Sequence, residues 1–473
     1  MLLIQIRAMI FIYSDWNVLS QMKNGQHVRL KEILNQPNRI VSLYSTSHIG
    51  DIFSSYKDKP DQLKIIEEDL EFITSITDNC CLSNNGKEIR LSYDDPKRLF
   101  NQRVYEKDLF ENFNLGKLAE MFESDPLTAS MGKSLVKLIK SMPLGKAFKD
   151  ALSNPESANQ LNKMFPGLKD NPTMEGFFSS FGKMITNLNQ TEDYKDLRGM
   201  VQSGLQINRD QLFDVKNPHK SINNAYEKLG VKDFSQFQQT DKHAPEWFNK
   251  ISNDYLMLDM HGYQEDRVNT KKGRKETFSN TTEDSFHSAF GSTCNYYILN
   301  DNRSYKKTNK VYEKFGLESI IFKPQEFVNY YDTYLELRNY ELDLHIPFEY
   351  LKLDSYREEK TDSNIIRTYH VPHFLFDFFN KMLVIADENE KIEMIVLSQI
   401  APTNKRITYY FEIEKLSPKL YQVLGEDVEG LGEIKQHELK QEEWQGRKWK
   451  FDGISFRFIR IQGVYQLYYD YNE

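Results

Sequence analysis

Two short apolar runs near the start of the chain, Met9 to Tyr13 and Ile40 to Tyr44, each break off at a polar cluster suited to opening a helix. The first passes into Ser14-Asp15-Trp16-Asn17 and the second into Ser45-Thr46-Ser47-His48-Ile49-Gly50-Asp51. Such runs predict strands buried on both faces. Asp15 then stands directly after a strand. Ser45 or Ser47 caps the second helix, whose first two turns hold Asp51. Helices are expected over 28–34 and about 62–77, and Asn84-Asn85-Gly86 marks a turn. Far downstream the layout recurs. Asp284 reads as the acid opening a short helix, Tyr296 to Leu299 as an apolar strand, and Asp301 as the point where the strand yields to the next helix. This brings both carboxylates to one end of a sheet, where ligands of α/β folds collect.

Between these halves, from about 105 to 263, the pattern becomes helical with Gly and Pro punctuation. Leu135, Leu138 and Ile139, and likewise Phe177, Phe178, Phe181 and Met184, have helical spacing and read as core. Tyr255 to Tyr263 predicts a helix ending at Gly262, with Asp259 and His261 in structural roles. Beyond about 345 the chain is β-rich, with strands expected at 391–397, 406–413, 447–451, 453–461 and 463–469, and a helix around Phe374 to Lys381. Its arginines and aromatic residues suit RNA or protein recognition, and ordinary sheet packing accounts for them equally well. The resulting plan is an α/β core in two halves (9–104 and 251–344), a helical insertion (105–250) and a small, largely antiparallel β domain (345–473).

Composition narrows the class. A chain of 473 residues with 39% hydrophobic and 13% aromatic residues builds two or three domains and is not wholly disordered. No run reaches the length of a membrane span. The apolar start is interrupted at Gln5 and Arg7 and lacks a cleavage site, which argues against a signal peptide and leaves residues 1–8 as an extension upstream of Met9. Three cysteines make neither a disulfide framework nor a zinc set. A cytoplasmic bacterial protein is the expectation. The net charge of −8 argues against nucleic-acid binding over the whole surface and leaves local patches open. Arg303, Lys306, Lys307 and Lys310 share one helical face, opposite Tyr305, Tyr312 and Phe315. A second basic group, Arg267 with Lys271, Lys272, Arg274 and Lys275, precedes Asp284.

The order of these segments carries a resemblance. A strand followed by Asp15-x-Asn17, then Ser45-x-x-His48-Ile49-x-Asp51-Ile52, then Asp284-x-x-His287 before a strand, then Asn300-Asp301 with Lys306, resembles the PIN-domain nucleases. Val311 to Gly316 and Ile320-Ile321-Phe322-x-Pro324-x-Glu326-Phe327 extend the likeness. The resemblance implies a PIN-like three-layer α/β/α core with a mostly parallel sheet, whose acids hold Mg²⁺ or Mn²⁺ for phosphodiester cleavage, most readily of RNA. Asp15, Asp284 and Asp301 are the expected ligands, with Asp51 a ligand or the base that orients the attacking water. Asn17, Arg303, Lys306 and Lys307 are the expected substrate contacts. His48 and His287 are read as packing or orienting groups. The family also implies room for a homodimer, and the insertion and β-rich tail offer places for a regulatory protein partner. Two features depart from the pattern. Asp51 stands where the family commonly has Glu, and about 230 residues separate it from Asp284, an insertion that loop-closure entropy tolerates. The rival expectation is a PIN-like binding or scaffold protein without catalysis. A toxin or phage-defence effector would share the chemistry, and the length of the chain favours a gated enzyme over a simple toxin.

Overall fold

The computed structural model describes residues 10–111, 193–230, 244–265, 278–402 and 409–471, apart from short breaks within these stretches. The stripes expected between 135 and 184, and the basic group at 267–275, lie outside the described residues.

Strand β1 (Ile10–Ser14) is a central strand of a six-stranded sheet in the order β4-β3-β2-β1-β5-β6. The others are β2 (Ile40–Ser45), β3 (Cys80–Asn84), β4 (Ile89–Tyr93), β5 (Tyr296–Ile298) and β6 (Ile320–Phe322). Every neighbouring pair is parallel except β3 with β4. The unbroken apolar run of β1 has the expected cause, burial on both faces. Phe11 and Tyr13 enter one core with the helices Glu246–His261 and Phe278–Gly291. Ile10 and Ile12 enter another, with the helices Trp16–Lys23, Val28–Leu34 and Pro60–Thr77. Helices therefore cover both sides of the sheet.

The described part of the helical region packs onto the first of these faces. Val201, Leu205, Leu212, Ile222 and Tyr226 join the core beneath Glu246–His261. Gly262 ends that helix in the left-handed conformation, φ 104°, where a side chain would be strained. Asp259 accepts from Arg198 (3.0 Å) and Lys307 (2.8 Å), all three buried, and His261 accepts or donates to Tyr226 (2.8 Å). Both residues have the structural roles expected of them. Among the described residues no helix is long and apolar enough to cross a membrane.

The C-terminal region forms a second sheet, antiparallel throughout, in the order β11-β12-β13-β10-β9-β8-β7. Its strands are Arg357–Lys360, Ile365–Leu375, Phe379–Ala386, Ile392–Ser398, Arg447–Phe451, Ile454–Ile461 and Val464–Asp470, numbered β7 to β13. The helices Tyr340–Tyr350 and Tyr409–Leu424 contribute to its core.

Three local expectations are corrected. Asp284 does not open a helix but lies within Phe278–Gly291, whose first turns are written in polar residues that are nevertheless buried, among them Thr281, Thr282 and Glu283. Phe374 to Lys381 is not a helix but the end of β8, a turn at Phe376 to Phe378 and the start of β9, with Phe374, Phe376 and Asp377 at positive φ. Its phenylalanines mimic a helical stripe because Phe374 serves the first domain's core and Phe376 the second's. The segment expected as a strand at 406–413 instead leads into a helix from Tyr409, in which Ile413, Leu416, Leu420 and Leu424 follow helical spacing.

The turn before β9 also joins the two sheets. Arg39 donates to Asp377 from Nε (3.0 Å) and Nη2 (2.6 Å), and from Nη1 to Tyr331 Oη (3.2 Å). Lys419 and Tyr340 reach the other Asp377 oxygen at 2.7 and 2.9 Å. Burial alone would raise the Asp377 pKa, but Lys419 and Arg39 outweigh it and hold the carboxyl down at about 2. A carboxyl depressed on folding stabilises the protein above the unfolded pKa, near 4, and loses that contribution as pH falls towards 2. Replacing Arg39 by Leu is expected to cost about 3 kcal/mol, since it breaks a buried pair. Denaturant unfolding at pH 7 measures the loss, which should shrink towards pH 2. A stability unchanged at pH 7 would show that the junction does not depend on this pair.

Candidate active site

Asp15 emerges from β1 with its backbone N–H bonded to Ile298 O of β5 (3.0 Å), so the carboxyl ends of the two strands lie side by side. Its side chain is buried and caps the Trp16–Lys23 helix, Oδ1 accepting from Val18 N at 2.9 Å. Asp301, just after β5, repeats the device in an exposed setting. Its Oδ1 caps the Asn302–Phe315 helix through Arg303 N (2.9 Å) and Ser304 N (2.8 Å). Ser304 Oγ also reaches Asp284 Oδ2 at 3.5 Å, which brings that acid from the preceding helix to the same edge. Asp51, on the Thr46–Ser54 helix after β2, accepts from His287 Nε2 at 2.9 Å.

The electrostatics confirm that these groups share one field. Burial pushes the Asp15 pKa up to about 7, with the charges of Asp51 and Asp301 adding to the rise against the Val18 N–H and Lys323. Asp51 is likewise raised by burial to about 7, opposed by Arg103. Asp51 and Asp301 thus lie within electrostatic range of Asp15, and Asp284 reaches the Asp301 cap through Ser304.

Two participants, Glu283 and Lys323, were missed from the sequence. Glu283 is buried, paired with Arg103 at 2.8 Å, and raised to about 7 by burial and in part by Asp51. Its carboxylate lies against Gly50, where an added Cβ would come within 2.1 Å of Oε1, so any larger residue there would make the Glu283 carboxylate move. Nothing in the primary structure marked Glu283, since it depends on the phase of a helix whose start was hidden. Lys323 donates to Asn300 O at 2.7 Å and lies near Asp301 and Asp15. It follows β6 as Asp15 follows β1, and the same sheet-edge rule would have found it.

The expected basic face is largely spent within the protein. Lys307 is fully buried against Asp259 and lies over the Tyr255 ring at 4.7 Å, so the expectation that it contacts substrate is corrected. Arg303 donates to Glu265 O and stacks over Phe213, Lys306 pairs with Asp214 and Lys310 with Glu313. Asn17 is exposed in the first turn after Asp15.

His48 and His287 pack edge to face, 4.7 Å between ring centroids. Burial drives both imidazoles to the neutral form, His287 down to about 3 and His48 well below the usual range, helped there by His287. His287 meets Asp51 through Nε2, whereas His48 is bonded to the backbone of Ser14 and Ser45.

The donors suit a hard divalent cation. Asp15, Asp51 and Asp301 each have one oxygen engaged and a second without a hydrogen bond among the described residues, and Mg²⁺ and Mn²⁺ favour such carboxylate oxygens. Among the described residues no group of three or more His, Cys, Asp or Glu side chains stands in the arrangement that holds a metal ion. The chemistry of the set fits the ion, and its spacing is wider than a finished site.

Comparisons with protein-family models, with curated proteins and with solved structures gave no match.

The raised Asp15 pKa has a thermodynamic sign. Between about pH 4 and 7 the unfolded chain gives up this proton while the folded chain keeps it, so stability falls as pH rises. Asp15→Asn preserves the cap and removes the charge. In chelator, it should stabilise the protein at pH 8 by on the order of 3 kcal/mol and change little at pH 4. Melting curves at both pH values check this, and equal melting of the two proteins at pH 8 would refute the burial penalty.

Proposed function

We propose that this chain is a PIN-like, divalent-metal-dependent nuclease that hydrolyses phosphodiester bonds, with RNA the favoured substrate. One observation carries the reading. Asp15 and Asp301 follow adjacent parallel strands at their carboxyl ends, Asp284 reaches the Asp301 cap through Ser304, and the charge of Asp51 acts on Asp15, with burial raising Asp15 and Asp51 to about 7.

Asp15, Asp284 and Asp301 would hold Mg²⁺ or Mn²⁺, with Asp51 a ligand or the base beside it. The bound ion would supply Lewis-acid charge and lower the pKa of a coordinated water. The chain's own groups account for the rest. Caps fix one oxygen each of Asp15 and Asp301 and leave the other free. Ser304 and Tyr255, hydrogen-bonded at 3.0 Å, anchor Asp284. Lys323, whose charge acts on Asp15, and Arg103, whose charge acts on Asp51, replace Lys307 as candidate phosphate contacts, with Asn17 and Arg303 at the rim. The enzyme would be cytoplasmic and gated, with the insertion or the β-rich domain receiving a partner. The wider spacing of the acids favours the gated form, and it is also the observation that a scaffold without catalysis would share.

The test is cleavage of labelled single-stranded RNA and DNA with Mn²⁺, Mg²⁺ or chelator. Metal-dependent cutting that Asp284→Asn reduces to background is the expected result. Cutting at equal rates by the variant would remove the site assignment, and metal binding without cutting would favour the scaffold. Growth arrest on expression, relieved by Asp15→Asn, would assign the effector role.

A further inference from the structure

Behind Asp51 runs a buried chain of hydrogen bonds that the proposed reaction does not itself require. His287 Nε2 meets Asp51 Oδ2 at 2.9 Å, and His287 Nδ1 meets the Tyr13 hydroxyl at 2.6 Å. Tyr13 in turn meets Ser45 Oγ at 2.6 Å. Tyr13, His287 and Ser45 are buried to 2% exposure or less, while Asp51 retains 23% of its side-chain surface at the open end. The chain thus leads from the interior of the sheet to one carboxylate at its edge.

Its direction follows from the groups at the inner end. Ser45 N–H donates to His48 Nδ1 at 3.0 Å, so that nitrogen is bare and His48 Nε2–H donates to Ser14 O at 2.7 Å. The Ser45 hydroxyl, which accepts from Ser47 N, is left to donate to Tyr13. Tyr13 then donates to His287 Nδ1, which leaves the neutral imidazole its Nε2–H to offer to Asp51. The reverse order would send the Ser45 hydroxyl to His48 Nδ1 at 3.4 Å, an acceptor already taken by Ser45 N–H. The chain therefore suits Asp51 as a carboxylate, with Oδ2 held and Oδ1 left for other partners.

We propose that His287, backed by Tyr13 and Ser45, is the positioning residue for Asp51, holding one of its oxygens so that the other is presented to the cation and substrate. The consequence for activity rests on the nuclease reading, whereas the positioning itself does not. An imidazole that orients a carboxylate this way acts as outer partners of metal ligands generally do, and their loss costs on the order of 10- to 100-fold in affinity or rate.

Two variants separate positioning from mere packing. His287→Gln keeps a donor for Asp51 and an acceptor for Tyr13, whereas His287→Phe keeps only the bulk. In crystal structures of both folded variants, the Asp51 carboxylate should hold its place in Gln and leave it in Phe. Mn²⁺ binding, read by electron paramagnetic resonance, should weaken about 10-fold or more in Phe and recover in Gln. Cleavage should follow in kcat with little change in KM. If Phe does not fold, Tyr13→Phe, which removes only the hydroxyl, should give a smaller shift in the same direction. An Asp51 unmoved in His287→Phe, or in Tyr13→Phe unchanged Mn²⁺ binding where His287→Phe cannot be made, overturns the proposal. Absence of cleavage by the parent protein, with Asp51 displaced as expected, counts against the nuclease reading alone.

Discussion

Placing ionisable carboxylates where the central strands of a parallel sheet end is the constraint on which the rest of this structure turns. Asp15 lies at the edge of the sheet, buried, within the fields of Asp51 and Asp301. A charge taken out of water is costly unless it is paired or loses its ionisation, and the pKa values near 7 express that cost. The protein tolerates the arrangement by giving the acids structural partners, among them a helix N-terminus for Asp15 and Asp301, an imidazole for Asp51 and a hydroxyl for Asp284. These partners hold the carboxylates without neutralising them. A stability argument alone would have replaced these carboxylates with apolar side chains.

The protein's own cations are disposed in the opposite manner. Lys307 and Arg198 are committed to Asp259, and Arg39 and Lys419 to Asp377. The first set welds the helical region to the helix that follows β5, and the second joins the two sheets. Among the described residues, Lys323 and Arg103 act on Asp15 and Asp51, and neither fully offsets the burial that raises them. Positive charge thus stabilises the scaffold, while negative charge accumulates at the sheet edge.

Much of this was legible in the chain because β1, β2 and β5 are buried on both faces and so read as largely apolar runs, with Asp15 directly after the first, Asp51 in the helix after the second and Asp301 shortly after the third. Asp15, Asp51 and Asp301 could be placed from that pattern alone, as could the stop at Gly262. Legibility failed where polar residues are buried. The helix holding Asp284 begins in Ser, Asn and Thr residues, so its start, and with it Glu283, escaped notice. Lys307 carries a charge on what looks like a solvent face, and only the distant Asp259 explains its burial. In the turn at Phe374 to Phe378, aromatic residues divided between two cores imitate a helical stripe. In each case the deciding partner is far away in sequence, and local spacing carries no record of it.

On the proposed reading, the acids at the sheet edge would form a cation site. Crystals soaked in Mn²⁺ and measured at an energy where manganese scatters anomalously test it most directly. The account predicts a strong anomalous peak bounded by carboxylate oxygens of Asp15, Asp284 and Asp301 with Asp51 alongside, and no such peak in Asp15→Asn crystals. A saturating soak that leaves this edge without a peak, or places the ion on other residues, would contradict it.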